Sequence, residues 1–238
     1  MSLNLPPVPK KAKEITRPQP LYTKETFYEE FKKGNKSFGV PGASLTWGIN
    51  GIKGASSMIG INGENETAEM LNKIAEANKG VYVFNSLMWP NSNGDTDHVL
   101  VYKNRVIVID SKRWKSVRKY GVSASGFVLR GTVAFPEGKV KMLHALNKWR
   151  SALPDFKVSG IVCIAQEKVF VTRDRNWYRA PYRLVEIEKL QEFLDSDLNT
   201  EKHEEEADNY GLLAYLASLV VKPRNLRSEI INPKGLDR

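Results

Sequence analysis

DTDHVLVYKNRVIVIDSK, residues 95–112, is the stretch that decides how this chain folds. Two apolar runs, 97–102 and 105–112, flank Lys103-Asn104, a two-residue connection of the length that closes a β-hairpin. With Tyr102 opposite Arg105, Asp97 falls opposite Asp110. Directly paired side chains have Cβ atoms about 4.5–5.5 Å apart, where like charges destabilise the pair. Both aspartates end long apolar runs, so a carboxylate pair here needs a cation or a shared proton. Lys112 lies two residues past Asp110 and emerges on the same strand face. The hairpin therefore predicts that Asp97, Asp110 and Lys112 converge on one point.

That set suits phosphodiester hydrolysis. A hard divalent cation, Mg²⁺ or Mn²⁺, takes one or two protein carboxylates and keeps waters for substrate and nucleophile. It polarises phosphate and activates water, while an ammonium offsets charge developing on the phosphorane. A lone D-x-K triplet is common and means little; the facing aspartate separates this one from the background. The segment 101–120 adds seven basic residues against Asp110 alone. Arg113, Lys115, Arg118 and Lys119 are candidate phosphate contacts, and Trp114 is a candidate for stacking on bases. Partial core packing is the plainer role for Trp114 and Tyr120.

Outward from the hairpin, periodicity predicts a helix over 64–77, with Ala68, Leu71, Ile74 and Ala75 on one face. A strand follows at 80–85, then a turn-rich loop. One or two strands are expected in 123–133 and an amphipathic helix over 139–153. A buried strand is expected at 158–165, with 168–172 pairing against it, and a last helix over 185–194. Nearer the N-terminus, 1–21 reads as a proline-rich extended arm and 24–33 as a helix capped by Thr23 and stopped at Gly34. Residues 34–63 read as irregular, with one short strand near 44–47. The order helix, strand, strand, strand, helix, strand predicts an α/β domain with a mixed sheet. The expected divisions are an arm over 1–59, a core domain over 60–198 and a charged extension over 199–238.

Composition is compatible with this. Hydrophobic residues make up 41% of the 238 and charged residues 26%, the balance of a globular chain, not a disordered one. A formal charge of +9 favours a polyanionic partner. The single cysteine, Cys163, excludes an internal disulfide and a multi-thiolate zinc site, and reads as core. The N-terminus lacks the apolar stretch of a signal peptide, and the longest apolar run, 212–221, is too short to span a bilayer. A soluble protein of the cytoplasm is expected.

GENETAEML at 63–71, YVFN at 82–85, DTDHVLV at 95–101 and VIVIDSKRW at 106–114 together resemble the nuclease-related domain (NERD), a branch of the PD-(D/E)XK superfamily. The likeness covers roughly 60–166. It implies the restriction-endonuclease-like αβββαβ core, metal ligation by Asp97 and Asp110, and Lys112 as the catalytic lysine. It adds Glu64 as a further ligand or water-orienting base; alone, that glutamate reads as a first-turn residue favouring the helix dipole. It further implies a DNA substrate, 5′-phosphate products and a bacterial, plasmid or phage-infected setting. The sequence departs from the family twice. Asp110 stands where glutamate is usual, and Lys139 or Lys141 stands where a glutamine is common. His98 neighbours Asp97, but alternation turns it to the other face, where it packs or supports. Two other readings stay open: a nucleic-acid-binding module without turnover, and an interaction protein using its terminal arms, in a homo-oligomer.

Overall fold

The computed structural model describes residues 18–47, 54–92, 94–134, 141–199 and 209–223. It is a mixed α/β structure around a six-stranded sheet. Helix α1 (Lys24–Lys32) starts at Thr23, which forms a reciprocal capping box with Thr26. Strand β1 (Ser37–Phe38) and a 3₁₀ turn (Ser44–Trp47) follow, then the long helix α2 (Gly54–Ala77). Strands β2 (Val81–Met88), β3 (Asp95–Tyr102) and β4 (Arg105–Lys112) form the antiparallel centre. Strands β5 (Lys119–Val122), β6 (Val128–Arg130) and β7 (Val133–Ala134) precede α3 (Met142–Ala152). Then come β8 (Lys157–Ile164), β9 (Phe170–Val171), α4 (Arg175–Arg179), β10 (Arg183–Glu186), α5 (Ile187–Asn199) and α6 (Tyr210–Leu219).

The large sheet runs β1-β2-β3-β4-β8-β10, with β8 parallel to both β4 and β10. A parallel neighbour needs a crossover, and the chain between β4 and β8 supplies one that contains α3. Cys163 faces α2, accepting a long contact from Thr67 Oγ1, and Gly160 faces α3, where a Cβ would lie 2.9 Å from Met142 and 3.0 Å from Leu146. The two helices therefore cover opposite faces of the sheet. Ala68, Leu71, Ile74 and Ala75 are buried as the periodicity required. Among the described residues no helix is long and apolar enough to cross a membrane.

Four local expectations are corrected. Residues 44–47 form a 3₁₀ turn, not a strand. Side chains reaching in from other elements take the neighbouring backbone donors: Glu64 accepts the Gly42 N–H and Ser86 Oγ the Ala43 N–H. Helix α2 begins ten residues before 64, despite the glycines within it. The segment at 168–172 does not pair with β8, whose two edges are already filled by β4 and β10; Lys168 turns at positive φ and β9 joins β5 instead. The start of the expected last helix is instead the buried strand β10, with α5 beginning at Ile187. The smaller sheet thus runs β7-β6-β5-β9.

The apolar run at 212–221 packs inside the molecule. Leu212, Leu213, Leu216 and Ala217 are buried, α6 packs against α1 and β2, and Val221 N–H bonds to Ser86 O. Its apolar surface is therefore used within the chain. The arm at 1–17, the acidic cluster at 201–208 and the tail after 223 lie outside the described residues.

Candidate active site

The hairpin register is as expected up to a point. Tyr102 pairs with Arg105 and the ladder continues to His98 opposite Ile109. There it stops, one step short of a main-chain Asp97–Asp110 pair. Asp97 continues the connection with its side chain, Oδ2 accepting the Ser111 N–H at 2.7 Å. Across β2 the ladder also skips a step here, at Ser86, whose φ is 53°. The sheet is thus interrupted around Asp97, which frees its carboxylate from a flat β surface.

Asp97, Asp110 and Lys112 all line one cavity of about 450 Å³, walled also by Glu64, Asp95, Trp89, Trp114 and Lys141. It opens beyond the carboxyl end of β4, and β8 ends parallel beside it, the position at which open α/β sheets bind ligands. Glu64 arrives from α2, which at Gly63 packs against Arg113 and Ala165. A Cβ on Gly63 would already touch Arg113 Cβ at 3.4 Å and Ala165 Cβ at 3.6 Å. Glu64 is the eleventh residue of α2, so a first-turn dipole role is excluded.

The charges lie close enough to act on one another. Burial pushes the Glu64 carboxyl up to about 7; the Gly42 hydrogen bond and Lys112 oppose this, while Asp95 and Asp110 add to it. Burial also raises Asp97 well above the usual carboxylate range, reinforced by Glu64. Burial works against the Lys112 ammonium, but Asp110, Asp97 and Glu64 outweigh it and hold its pKa above the ordinary lysine value. Lys112 Nζ lies 2.7 Å from Asp110 Oδ2, a buried oxygen with no well-aligned hydrogen bond.

Among the described residues no three His, Cys, Asp or Glu side chains stand as a ready metal cage. The donor set still suits a hard cation. It is all carboxylate oxygen, one oxygen is left poorly satisfied, and Mg²⁺ needs only one or two protein carboxylates. A cation on Asp110 would compete with Lys112 for the same oxygen.

His98 is on the other face, as alternation required. Its Nδ1 lies 2.8 Å from Asn85 Oδ1 and its Nε2 3.0 Å from Ser111 Oγ. Asn85 Nδ2 donates to Phe38 O and Ser37 Oγ, so Asn85 Oδ1 is the acceptor and His98 carries its proton on Nδ1. Ser111 Oγ–H then donates to Nε2. Burial pushes the His98 pKa down to about 3, keeping it neutral.

The basic segment divides. Arg113 and Trp114 line the cavity, but Arg113 is bound to Glu66 at 2.7 Å, and Trp114 packs against buried Tyr120 with ring centroids 5.0 Å apart. Lys115, Arg118 and Lys119 are exposed beyond the cavity wall. Lys103 and Arg105 sit at the other end of β4, with Arg105 held by Asp197. Asp95 is the cavity carboxylate that reading the hairpin pair overlooked; its D-x-D spacing to Asp97 was the available signal. Lys141 reaches the cavity, and Lys139 lies outside the described residues.

Compared with known protein families, residues 59–165 match the model of the nuclease-related domain, NERD. No curated protein and no solved structure matches the chain.

Proposed function

We propose that the chain, whose residues 59–165 match the nuclease-related domain model, is a divalent-metal-dependent deoxyribonuclease of the PD-(D/E)XK type. One observation carries the reading: Glu64, Asp97, Asp110 and Lys112 arrive from α2, β3 and β4 at the wall of one cavity. The order α2, β2, β3, β4, α3, β8, with β5 to β7 inserted, supports the αβββαβ core.

Asp97 and Asp110 would hold Mg²⁺ or Mn²⁺, with Glu64 as a further oxygen donor. When bound, the cation supplies Lewis-acid polarisation of phosphate and activation of water. Lys112 stays charged at any working pH and offsets negative charge building on the phosphorane. Glu64, near 7 without metal, can exchange a proton close to neutral pH and so orient the attacking water. Asp110 is one methylene shorter than glutamate, and its hold on Lys112 keeps that ammonium at the cavity wall. The products would carry 5′-phosphates. The basic surface that begins at Arg113 would receive the DNA backbone.

The test is cleavage of labelled linear, circular and branched DNA in Mg²⁺, Mn²⁺ or EDTA. Cleavage with either metal and none with EDTA is expected. Intact DNA under every condition, or cleavage that EDTA leaves untouched, would overturn the proposal.

A further inference from the structure

Asp97 falls in a gap of the sheet on both sides. The β2 ladder passes from the Asn85–His98 pair to Leu87–Thr96, and the β4 ladder ends at His98–Ile109. Main-chain pairing, which ordinarily fixes a strand residue against its neighbours, therefore lapses at the residue whose carboxylate the cavity needs. Side chains take over, and they do so in one direction. Asn85 Nδ2 donates to Phe38 O and Ser37 Oγ, so Asn85 Oδ1 accepts from His98 Nδ1 at 2.8 Å. His98 Nε2 in turn accepts from Ser111 Oγ at 3.0 Å, and the Ser111 N–H donates to Asp97 Oδ2 at 2.7 Å.

Two adjacent residues of β3 thus hold one residue of β4, His98 by its side chain and Asp97 by its main chain. All three members, Asn85, His98 and Ser111, are buried, so water does not readily replace a lost bond. On its other edge Ser111 is in register with Cys163 of β8, and Lys112 with Ile164. With β8 on one side and His98 on the other, the Ser111 N–H has one place to point.

The consequence lies in which carboxylate oxygen is left for a ligand. Asp97 lines the cavity with Oδ2 already bound to an amide, and its Oδ1 accepts no hydrogen bond from the described residues. A bidentate grip on one cation would have to turn Oδ2 off the Ser111 N–H. Cations differ in how much that matters. Ca²⁺ takes about 6–8 oxygens in flexible geometry and accepts bidentate carboxylates, whereas Mg²⁺ demands near-octahedral single oxygens and keeps several waters.

We propose that Asn85, His98 and Ser111 are positioning residues that hold Asp97 as a one-oxygen ligand and so set the site's preference for a small octahedral cation over Ca²⁺. The proposal rests on the reading of the cavity as a metal site and goes beyond it by assigning the selectivity to a neutral network behind the carboxylates.

The experiment is Mn²⁺ binding to the metal-free protein without DNA, read by electron paramagnetic resonance, with Ca²⁺ as competitor. Asp97→Ala, which should abolish the bound Mn²⁺, locates the signal. Partners behind metal ligands are typically worth about 10–100-fold in affinity. Ser111→Ala, which deletes only the hydroxyl, should therefore lower the Mn²⁺-to-Ca²⁺ affinity ratio by about tenfold, with Mn²⁺ losing and Ca²⁺ holding or gaining. Ser111→Thr restores the hydroxyl and should keep the wild-type ratio. His98→Leu, with Ser111 intact, should lower the ratio as Ser111→Ala does, and the double variant no further, because both act through one bond. Ser111→Ala carries the test even where His98→Leu weakens the fold. A merely structural network predicts a lower melting temperature with the ratio unchanged, or equal losses of both cations, and either result would overturn the proposal. So would Ser111→Thr falling as far as Ser111→Ala. A wild type that binds Mn²⁺ through Asp97 but whose ratio ignores Ser111→Ala refutes the positioning chain alone. A wild type that binds no Mn²⁺ refutes the metal reading as well.

Discussion

At the open end of the β3–β4 hairpin, the two faces of one sheet hold opposite kinds of polar chemistry. On the cavity face Asp97, Asp110 and Lys112 are crowded with Glu64 and Asp95, and burial together with the neighbouring charges displaces the protonation of Glu64, Asp97 and Lys112. On the other face Asn85, His98 and Ser111 form a neutral chain in which each donor has an acceptor. Adjacent residues of one strand, Asp97 and His98, are thereby sent to different tasks. A carboxylate cluster is poised for a cation and substrate, whereas a satisfied neutral network holds strands in register. Ser111 joins them, its side chain on His98 and its N–H on Asp97.

The largest expected effect belongs to the cavity face. Removing one preorganised electrostatic donor typically costs about 10²–10³ in rate. Lys112→Ala should lose that much turnover while keeping most of its DNA affinity, because exposed Lys115, Arg118 and Lys119 remain. Single-turnover cleavage alongside anisotropy measures both. Equal rates for wild type and variant would mean that the chemistry happens elsewhere.

The two faces should also respond to pH with opposite slopes. Glu64 titrates near 7 in the fold and near 4.5 when unfolded. Between those values the folded state holds more protons, so its stability falls as pH rises through the window. Glu64→Gln keeps an acceptor for Gly42 but removes the charge. In EDTA it should gain on the wild type by up to about 3 kcal/mol between pH 5 and pH 8. Urea unfolding at both pH values decides it, and parallel pH curves for the two proteins would dismiss the coupling.

His98 works in the reverse direction. Its unfolded pKa of 6.5 exceeds the folded value of about 3, so the unfolded state takes up the proton first and stability is lost as pH falls from 6.5 toward 3. His98→Leu should remove this acid-side slope. At neutral pH it should cost about 2 kcal/mol, by leaving Asn85 Oδ1 and Ser111 Oγ without their partner. A variant as stable as the wild type at pH 7 would mean the network does not hold the register.

What the sequence disclosed follows from the range of each interaction. The hairpin and its register were readable because a two-residue turn and two apolar runs are local. So was His98's turn away from Asp97, which needs only alternation. The first ten residues of α2 were hidden because Gly54, Gly60 and Gly63 argue against a helix by propensity. At Gly60 and Gly63 the helix is held by tertiary packing, running within contact distance of Leu45 at one and of Arg113 at the other, which propensity alone does not record. β9 and β10 depend on which edges of β8 are free, which no local pattern records. Asp95 was overlooked for the same reason, its place in the cavity wall depending on where the sheet is interrupted.

The smallest expected effect sharpens the comparison along the strand instead of across it. As a sequence, 101–120 is one basic block, but β4 separates its ends by about 23 Å at the usual rise per residue. Lys103 sits at the turn, with its ammonium 5.5 Å from the Tyr102 ring centroid, while Lys115 is exposed just past the cavity. If DNA crosses the cavity mouth, Lys115 neutralises a phosphate and Lys103 does not. Lys115→Ala should then lower the slope of log affinity against log salt by roughly 0.9 on duplex or 0.7 on a single strand. Lys103→Ala should leave that slope unchanged, although both substitutions alter net charge equally. The paired design removes the general effect of charge and isolates position. Equal losses would show a diffuse field with no defined track, and a loss confined to Lys103 would put the DNA along the hairpin, away from Asp110 and Lys112.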